Sequence, residues 1–579
     1  MSCLISLRNA NFKYNIDPVL ENLSFSVNSG DKIAIVGHNG CGKSTLLHIL
    51  SGEITSFEGE RVLKRSLRFE VVEQYLKDEL REFSLIEALM EKFPESEREY
   101  QRYQAEVLLL DLYFTQKDFE TKVGDLSGGG QNRLMFARAI IKEPELVFMD
   151  EPTNHLDLKS LLYIEDYLNK KAKFAFVIIS HDKIFLENVT NKTVILRDQT
   201  SYSYNLSYNK ALIELEKADE IAAKRLDLEE KEISRIKKSA KRLAIWGKTY
   251  DNEDLSKKAK SMEKRAEKLE SEKTFVTRGN PYELDLNPVP LSSKLALQFH
   301  DFDVFYGDSL LEDKSNKLFS IGEFYMNSGE KLALLGDNGM GKSTFINLIL
   351  RNLKEQRHDG KFKSAPNLHY GLYDQEQMVL NPLETLKETI TRLCDVTTVV
   401  VKNTLITAGF HYDRHDVKIE TLSGGEKSRI IFCILNLNRP NFLILDEPTN
   451  HIDLDGKNEL VESLKKSKTT ALITGHDRFF IEEVADRFVM IDKGRLVELD
   501  DPKEFYENLR GEDSSLILPE GTEVSKQQAI EKNGEEALER IFELEQKLEE
   551  DQSRKAKFQK PLKQEQWKEE IAILYKSLE

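Results

Sequence analysis

Apolar positions along the chain fall into two patterns that predict different elements. Short continuous runs, such as Ile33-Ala34-Ile35-Val36, Leu146-Val147-Phe148-Met149 and residues 174–179, read as strands buried on both faces of a parallel sheet. The same kind of run returns later as Leu332-Ala333-Leu334-Leu335, Leu443-Ile444-Leu445 and residues 471–473. Helical stretches lie between them, among them Leu46-Leu47-His48-Ile49-Leu50 and Phe345-Ile346-Asn347-Leu348-Ile349. From about residue 200 to about 290 the texture changes: glycine nearly vanishes, Lys, Glu, Arg and Leu dominate, and the spacing predicts two long helices. Beyond residue 510 a polar stretch precedes Ala537, Leu538, Ile541, Leu544 and Leu548 at helical spacing. A second stripe, Trp567, Ile571, Leu574 and Leu578, follows Pro561, so a tether and a C-terminal helical hairpin are expected.

The pattern repeats in its motifs as well. Gly37-His38-Asn39-Gly40-Cys41-Gly42-Lys43-Ser44-Thr45 returns as Gly336-Asp337-Asn338-Gly339-Met340-Gly341-Lys342-Ser343-Thr344. Leu126-Ser127-Gly128-Gly129 returns as Leu422-Ser423-Gly424-Gly425, and Asp150-Glu151-Pro152-Thr153-Asn154-His155 as Asp446-Glu447-Pro448-Thr449-Asn450-His451. His181-Asp182 returns as His476-Asp477. A period of about 300 residues is too long for a solenoid and means two copies of one domain. The expected organisation is α/β: two P-loop domains, residues 1–199 and 293–510, joined by a helical hairpin linker, residues 200–292. Residues 511–579 form the tether and C-terminal helical extension.

Each glycine-rich stretch sits between a strand-like run and a helical run, the context that a phosphate-cradling loop requires. Glycines let the backbone N–H groups face the phosphates, and the following helix N-terminus adds a favourable field. Lys43 and Lys342 would reach the β- and γ-phosphates of ATP, and Ser44 and Ser343 would offer a hydroxyl to Mg²⁺. Asp150 and Asp446 end apolar strands, which suits a carboxylate of the Mg²⁺ shell. Glu151 and Glu447, next in sequence, are placed to polarise an attacking water as general bases. Adjacent carboxylates at the end of an apolar strand are costly without a cation, which argues against a purely structural role. His181 and His476 follow further apolar runs at matching offsets, and that recurrence marks them as catalytic rather than incidental.

Composition narrows the class. No run approaches the roughly 18 apolar residues of a membrane helix, and the first residues lack the basic start and apolar core of a secretory signal. Four cysteines without CxxC spacing read as free thiols, so a cytoplasmic protein is expected. A net charge of −17 opposes nucleic-acid binding over the whole surface and leaves room for a local basic patch.

The motif set resembles the ATP-binding cassette ATPases over about 400 of the 579 residues. That resemblance implies that Ser127, Gly128, Gly129 and Ser423, Gly424, Gly425 belong to signature loops, each completing the ATP site of the opposite cassette. Lys43 would then share a site with Ser423, and Lys342 with Ser127, in a head-to-tail sandwich within one monomer. It further implies magnesium-sensing glutamines at Gln74 and Gln375, adenine-stacking aromatics at Tyr14 and Tyr306, and coupling loops at His155-Leu156-Asp157 and His451-Ile452-Asp453. One position departs from the family: Gly130 stands where glutamine or glutamate is usual, whereas the second copy has Glu426. Ser127, Gly128 and Gly129 are intact, so the resemblance implies that the second site is present and differs at this position alone in its signature loop.

Two cassettes on one chain with a charged helical linker resemble the ABC-F class, ATPases that bind ribosomes. Tyr202, Tyr204 and Tyr208 are similar to that family's tyrosine-rich linker start, and 52 positions from Gln74 to Leu126 leave no space for the extra arm of some housekeeping members. The resemblance implies binding near the tRNA-exit site and action of the linker tip on tRNA and the peptidyl-transferase region, as in antibiotic-protection factors. Housekeeping translation factors, a DNA-associated ATPase and a transporter subunit with a separate membrane partner remain alternatives. Between Arg235 and Arg265 the linker carries eleven basic and four acidic residues. Lys237, Lys238, Lys241, Arg242, Trp246, Lys248, Tyr250, Lys257 and Lys258 are therefore the expected RNA contacts.

Overall fold

The computed structural model describes residues 2–14, 17–73, 75–153, 156–250, 252–271, 273, 286, 289–305, 317–355, 361–450 and 452–511. It also describes residues 548, 551, 563, 564, 567 and 568. Gln74, His155, Tyr306, His451 and nearly all of the expected C-terminal hairpin lie outside the described residues. The chain divides into two compact units. One comprises residues 1–65, 175–178 and 189–281, and the other residues 66–174, 179–188 and 282–579.

In the first unit, β1 (Cys3–Tyr14) pairs antiparallel with β2 (Asp17–Asn28) and β4 (Glu58–Leu63). Strand β3 (Lys32–Val36) is buried from Ile33 onward and leads through the first P-loop into α1 (Lys43–Ser51). The second unit carries β5 (Phe69–Val71), α2 (Leu85–Met90), α3 (Glu95–Asp111), α4 (Gly128–Ile140), β6 (Leu146–Asp150) and α5 (Leu158–Lys170). Strands β5 and β6 pair in parallel. The chain then runs through β7 (Ala175–Ile179) and α6 (Lys183–Val189).

Back in the first unit, β8 (Lys192–Arg197) lies parallel to β3 and antiparallel to β9 (Thr200–Tyr204). Strand β9 occupies the start of the stretch expected to be helical: its Thr-Ser-Tyr composition suits a pleated edge, and only from Tyr208 do helix formers take over. Helix α7 (Tyr208–Thr249) has 42 residues, about 63 Å at 1.5 Å per residue. It runs through Gly247, and α8 (Glu253–Ser271) returns along it. Asn252 sets the return, its Oδ1 accepting from the N–H groups of Asp254 (3.0 Å) and Leu255 (3.1 Å). Ile233, Ala240, Ala259 and Ala266 are buried along the hairpin. Lys237–Glu270 and Lys273–Glu230 pairs cross it at 2.6 and 3.1 Å. The base of α7 is fastened by a two-pronged pair from Arg197 on β8 to Asp219, at 2.7 and 2.6 Å.

The second repeat builds one nine-stranded sheet within the second unit. Strands β10 (Leu295–Phe305) and β11 (Lys317–Asn327) pair antiparallel. Strand β12 (Lys331–Leu335) leads through the second P-loop into α9 (Lys342–Glu355), and β13 (Phe362–Ser364) borders β10. After β14 (Tyr370–Tyr373) come α10 (Leu386–Leu393), α11 (Thr398–Thr407), α12 (Gly424–Asn438), β15 (Phe442–Asp446) and α13 (Leu454–Lys466). The chain closes with β16 (Thr470–Thr474), α14 (Arg478–Val484), β17 (Arg487–Asp492), β18 (Arg495–Leu499) and α15 (Pro502–Gly511). Strand β12 lies between β16 and β17, and β16 in turn pairs with β15, all in parallel. Both faces of these strands are covered, one by the cluster around Phe299, Phe324 and Phe345 and the other by that around Ile431, Leu445 and Leu460. That double burial is why they read as unbroken apolar runs. Among the described residues, no helix is long and apolar enough to cross a membrane.

Candidate functional site

The two P-loops share one backbone solution. Gly42 (φ 99°) and Gly341 (φ 100°) precede α1 and α9 in a conformation that side chains rarely adopt. A Cβ at Gly42 would stand 2.7 Å from Val19 Cγ1. Lys43 Nζ donates to the carbonyls of Gly37 (2.8 Å) and His38 (3.2 Å), and Lys342 Nζ to those of Gly336 (2.6 Å) and Asp337 (3.1 Å). Each ammonium is thus held over its own loop. Ser44 and Ser343, second in their helices, are not fully buried.

Around the second P-loop the strand ends converge. Asp446 ends β15 opposite Thr474 of β16, whose hydroxyl donates to Asp446 Oδ1 at 2.5 Å. Glu447 follows, 6% exposed, with a carboxylate oxygen 3.4 Å from His476 Nε2. His476 Nε2 also lies 3.1 Å from Asn338 Oδ1 on the P-loop, an approach that the sequence did not predict. Burial pushes the Asp446 carboxyl up and the Lys342 ammonium down from their ordinary ranges. The neighbouring carboxylates oppose the shift at Lys342, and Asp157 of the first repeat is among them. Gln375 lies exposed in the turn after β14.

The first repeat keeps the same histidine–glutamate pair: His181 Nε2 stands 3.1 Å from Glu151 Oε1. Asp150, at the end of β6, is buried. Tyr14, at the end of β1, is exposed and packs edge-on against Phe12 at 4.8 Å. Both glutamates adopt left-handed backbone, Glu151 at φ 48° and Glu447 at φ 52°. Their N–H groups donate to the carbonyls of Ile179 and Thr474, at 2.9 and 3.2 Å. A left-handed residue other than glycine costs about 1–2 kcal/mol, and such strain persists only where the surroundings hold it. Here it turns the carboxylate out of strand alternation and towards the histidine.

The remaining motif residues begin helices. Ser127 and Ser423 cap α4 and α12, and Asp157 and Asp453 cap α5 and α13. The Gly130 departure has its meaning here. Glu426 completes a reciprocal capping box with Ser423 and pairs with Arg414 at 2.7 Å, whereas Gly130, whose N–H donates to Ser127 Oγ, offers no side chain to accept from the Ser127 N–H. A Cβ at Gly130 would meet Leu126 and Ser127 at 3.4 Å, an ordinary approach. Asp118 occupies the repeat position of Arg414, so glutamine suits the first cassette better than glutamate. Gly130→Gln should stabilise the first turn of α4 by about 1–2 kcal/mol, from helix propensity and the restored cap. Amide exchange across residues 130–134 should slow by about five- to thirtyfold; unchanged exchange would mean that the box does not form.

Comparison with known proteins agrees with this geometry. The ABC transporter family profile matches residues 20–154 and 320–450. The chain is 27% identical to ABC transporter F family member 2 of Arabidopsis thaliana, over 85% of this chain and 77% of that one. It is also 27% identical to the ribosome protection protein VmlR of Bacillus subtilis, over 86% and 89% respectively. A solved structure of the archaeal ribosome recycling factor aABCE1 with the stalk protein aP1 superposes with a TM-score of 0.58 at 17% identity. It covers 86% of this chain and 92% of that one, and shows the shared fold. Two P-loops with repeated strand-end carboxylates and signature helices define a tandem ATP-binding cassette protein. Within that class its relatives include a named ABC transporter F family member, and the chain is consistent with the ABC-F family.

Proposed function

We propose that the protein is an ATPase that binds the ribosome and acts on it through the tip of the α7–α8 hairpin. Lys43 and Lys342 bind the β- and γ-phosphates, with Tyr14 beneath one adenine. Glu151 and Glu447 take a proton from the attacking water, and His181 and His476 hold the γ-phosphate side of each site. The residues offered to magnesium, Ser44, Asp150, Ser343, Gln375 and Asp446, are oxygen donors, as that ion requires. The buried, upward-shifted carboxyl of Asp446 suits a neighbouring divalent cation. When bound, Mg²⁺ neutralises charge on the phosphate oxygens.

The observation that carries the ribosomal reading is the hairpin tip. Trp246 and Tyr250 are 54% and 74% exposed, beside exposed Lys238, Lys241, Arg242, Lys248 and Lys258. Cations that hold phosphates beside rings that stack on unpaired bases suit ribosomal RNA or tRNA. The likeness to VmlR, a ribosome protection protein, supports antibiotic protection as the cellular role. Co-sedimentation with ribosomes tests the reading: the protein should pellet with them in ATP and dissociate as ATP is consumed. Retention on DNA, with none on ribosomes, would replace it with the DNA-associated alternative.

A further inference from the structure

The two histidine loops meet at one buried ammonium. Lys457, on α13 of the second repeat and 7% exposed, donates to the backbone carbonyl of His181 in the first repeat at 2.7 Å. The same Nζ donates to Asp477 Oδ2 at 2.6 Å. Asp477 follows His476 and caps α14, its Oδ1 accepting from Phe480 N–H at 3.0 Å. Beside this bridge, Arg478 donates to Glu165 of α5 at 2.7 Å and lies 3.9 Å from Asp182, and Arg510 donates to Glu165 at 3.0 Å. The link does not follow the repeat. Lys457 lies four residues after Asp453; four residues after Asp157 stands Leu161, a buried apolar side chain. Glu165 likewise corresponds to Val461.

We propose that Lys457 is a positioning residue for hydrolysis at the nucleotide site that uses Glu151 and His181, and that the other site has no counterpart. The inference rests on the ATPase reading above. Lys457 does not touch the reacting atoms. Its bond to the His181 carbonyl fixes the backbone from which the imidazole reaches Glu151, 3.1 Å away. Because the same ammonium holds Asp477, the height of the His181 loop depends on the position of the His476 loop. Hydrolysis at the Glu151 site is thereby made conditional on the state of the other. A displacement of about 1 Å in a catalytic group can lower turnover by about a hundredfold.

Single-turnover phosphate release, with full-length protein in excess over ATP, separates the two sites. In a Glu447→Gln background the release reports the Glu151 site, and in a Glu151→Gln background it reports the Glu447 site. Lys457→Met should slow the first at least about tenfold and the second less than about threefold, with ATP affinity held within about twofold in both. Because Lys457→Met strands the Asp477 carboxylate, Lys457→Met with Asp477→Asn supplies a second variant without a buried unpaired charge. It should show the same one-sided loss with an unchanged melting temperature. Lys457→Arg, which keeps a donor towards the carbonyl, should recover part of the rate. Equal losses at both sites, or none at the Glu151 site, would overturn the proposal. Absence of hydrolysis in both backgrounds with Lys457 intact would instead overturn the ATPase reading.

Discussion

Replacing Glu151 and Glu447 together by glutamine should lower steady-state ATP turnover by about 10²–10⁴-fold, the range expected when a general base is removed. ATP binding should persist. Glutamine keeps the length and most of the hydrogen bonding of glutamate but cannot accept the proton of the attacking water. The substitution leaves the P-loop lysines over Gly37 and Gly336, so the phosphate cradle is untouched. It also leaves the left-handed backbone at both positions, which the N–H bonds to Ile179 and Thr474 hold in place. The variant should therefore bind ATP, close and stay closed. Phosphate release would measure the loss, and the fraction of protein retained on ribosomes in ATP would rise above wild type. Turnover near the wild-type rate would show that neither glutamate is the base. The single variants should differ from each other, because Lys457 links only the His181 loop to its opposite number.

The second large effect lies at the tip of the linker. Trp246→Ala should leave ATPase activity within about twofold and abolish the cellular effect on translation, since a stacked base contributes about 1–3 kcal/mol. Charge reversal of Lys238, Lys241, Arg242 and Lys248 should weaken ribosome binding by about a hundredfold or more at moderate salt. The dependence of log affinity on log salt should become shallower by about one for each phosphate that the variant no longer neutralises. These positions are chosen because they are exposed, whereas Lys237 and Lys257 are already engaged with Glu270 and Glu253, at 2.6 and 3.3 Å. Reversal at those two would disturb the hairpin as well as its surface. Binding measured by sedimentation across a salt series checks the role of charge, and growth of cells carrying Trp246→Ala checks the role of stacking. Full binding and full function in both variants would reduce the hairpin to a spacer.

Much of the site was legible because its motifs are local. A P-loop is a turn between one strand and one helix, and Gly42 needs its left-handed backbone whatever lies elsewhere in the chain. The signature serines and coupling aspartates are helix caps, which bind N–H groups two or three residues away. Repetition then turned single motifs into pairs at matching offsets. Disagreement between the repeats is informative too: where they differ, as at Leu161 and Lys457, a residue has a task its counterpart lacks.

The amino-acid sequence by itself determined the buried strands and the long linker helices, the two nucleotide-binding loops and the segregation of positive charge towards the linker tip. Each depends on hydrophobic period, glycine chemistry or side-chain charge within a short window. Only the tertiary structure decided which distant groups meet. His181 faces Glu151, 30 positions away, because the Glu151 N–H bonds the Ile179 carbonyl and a left-handed backbone turns the carboxylate. Lys457 reaches the carbonyl of His181 across 276 positions because α13 of one repeat packs beside the histidine loop of the other. Which tip lysines remain open to a partner was decided by the register of α8 against α7, which seats Lys237 on Glu270. A short window cannot encode these meetings: a buried ammonium is stable only where carbonyl and carboxylate converge on it, and that convergence exists only once the fold has closed.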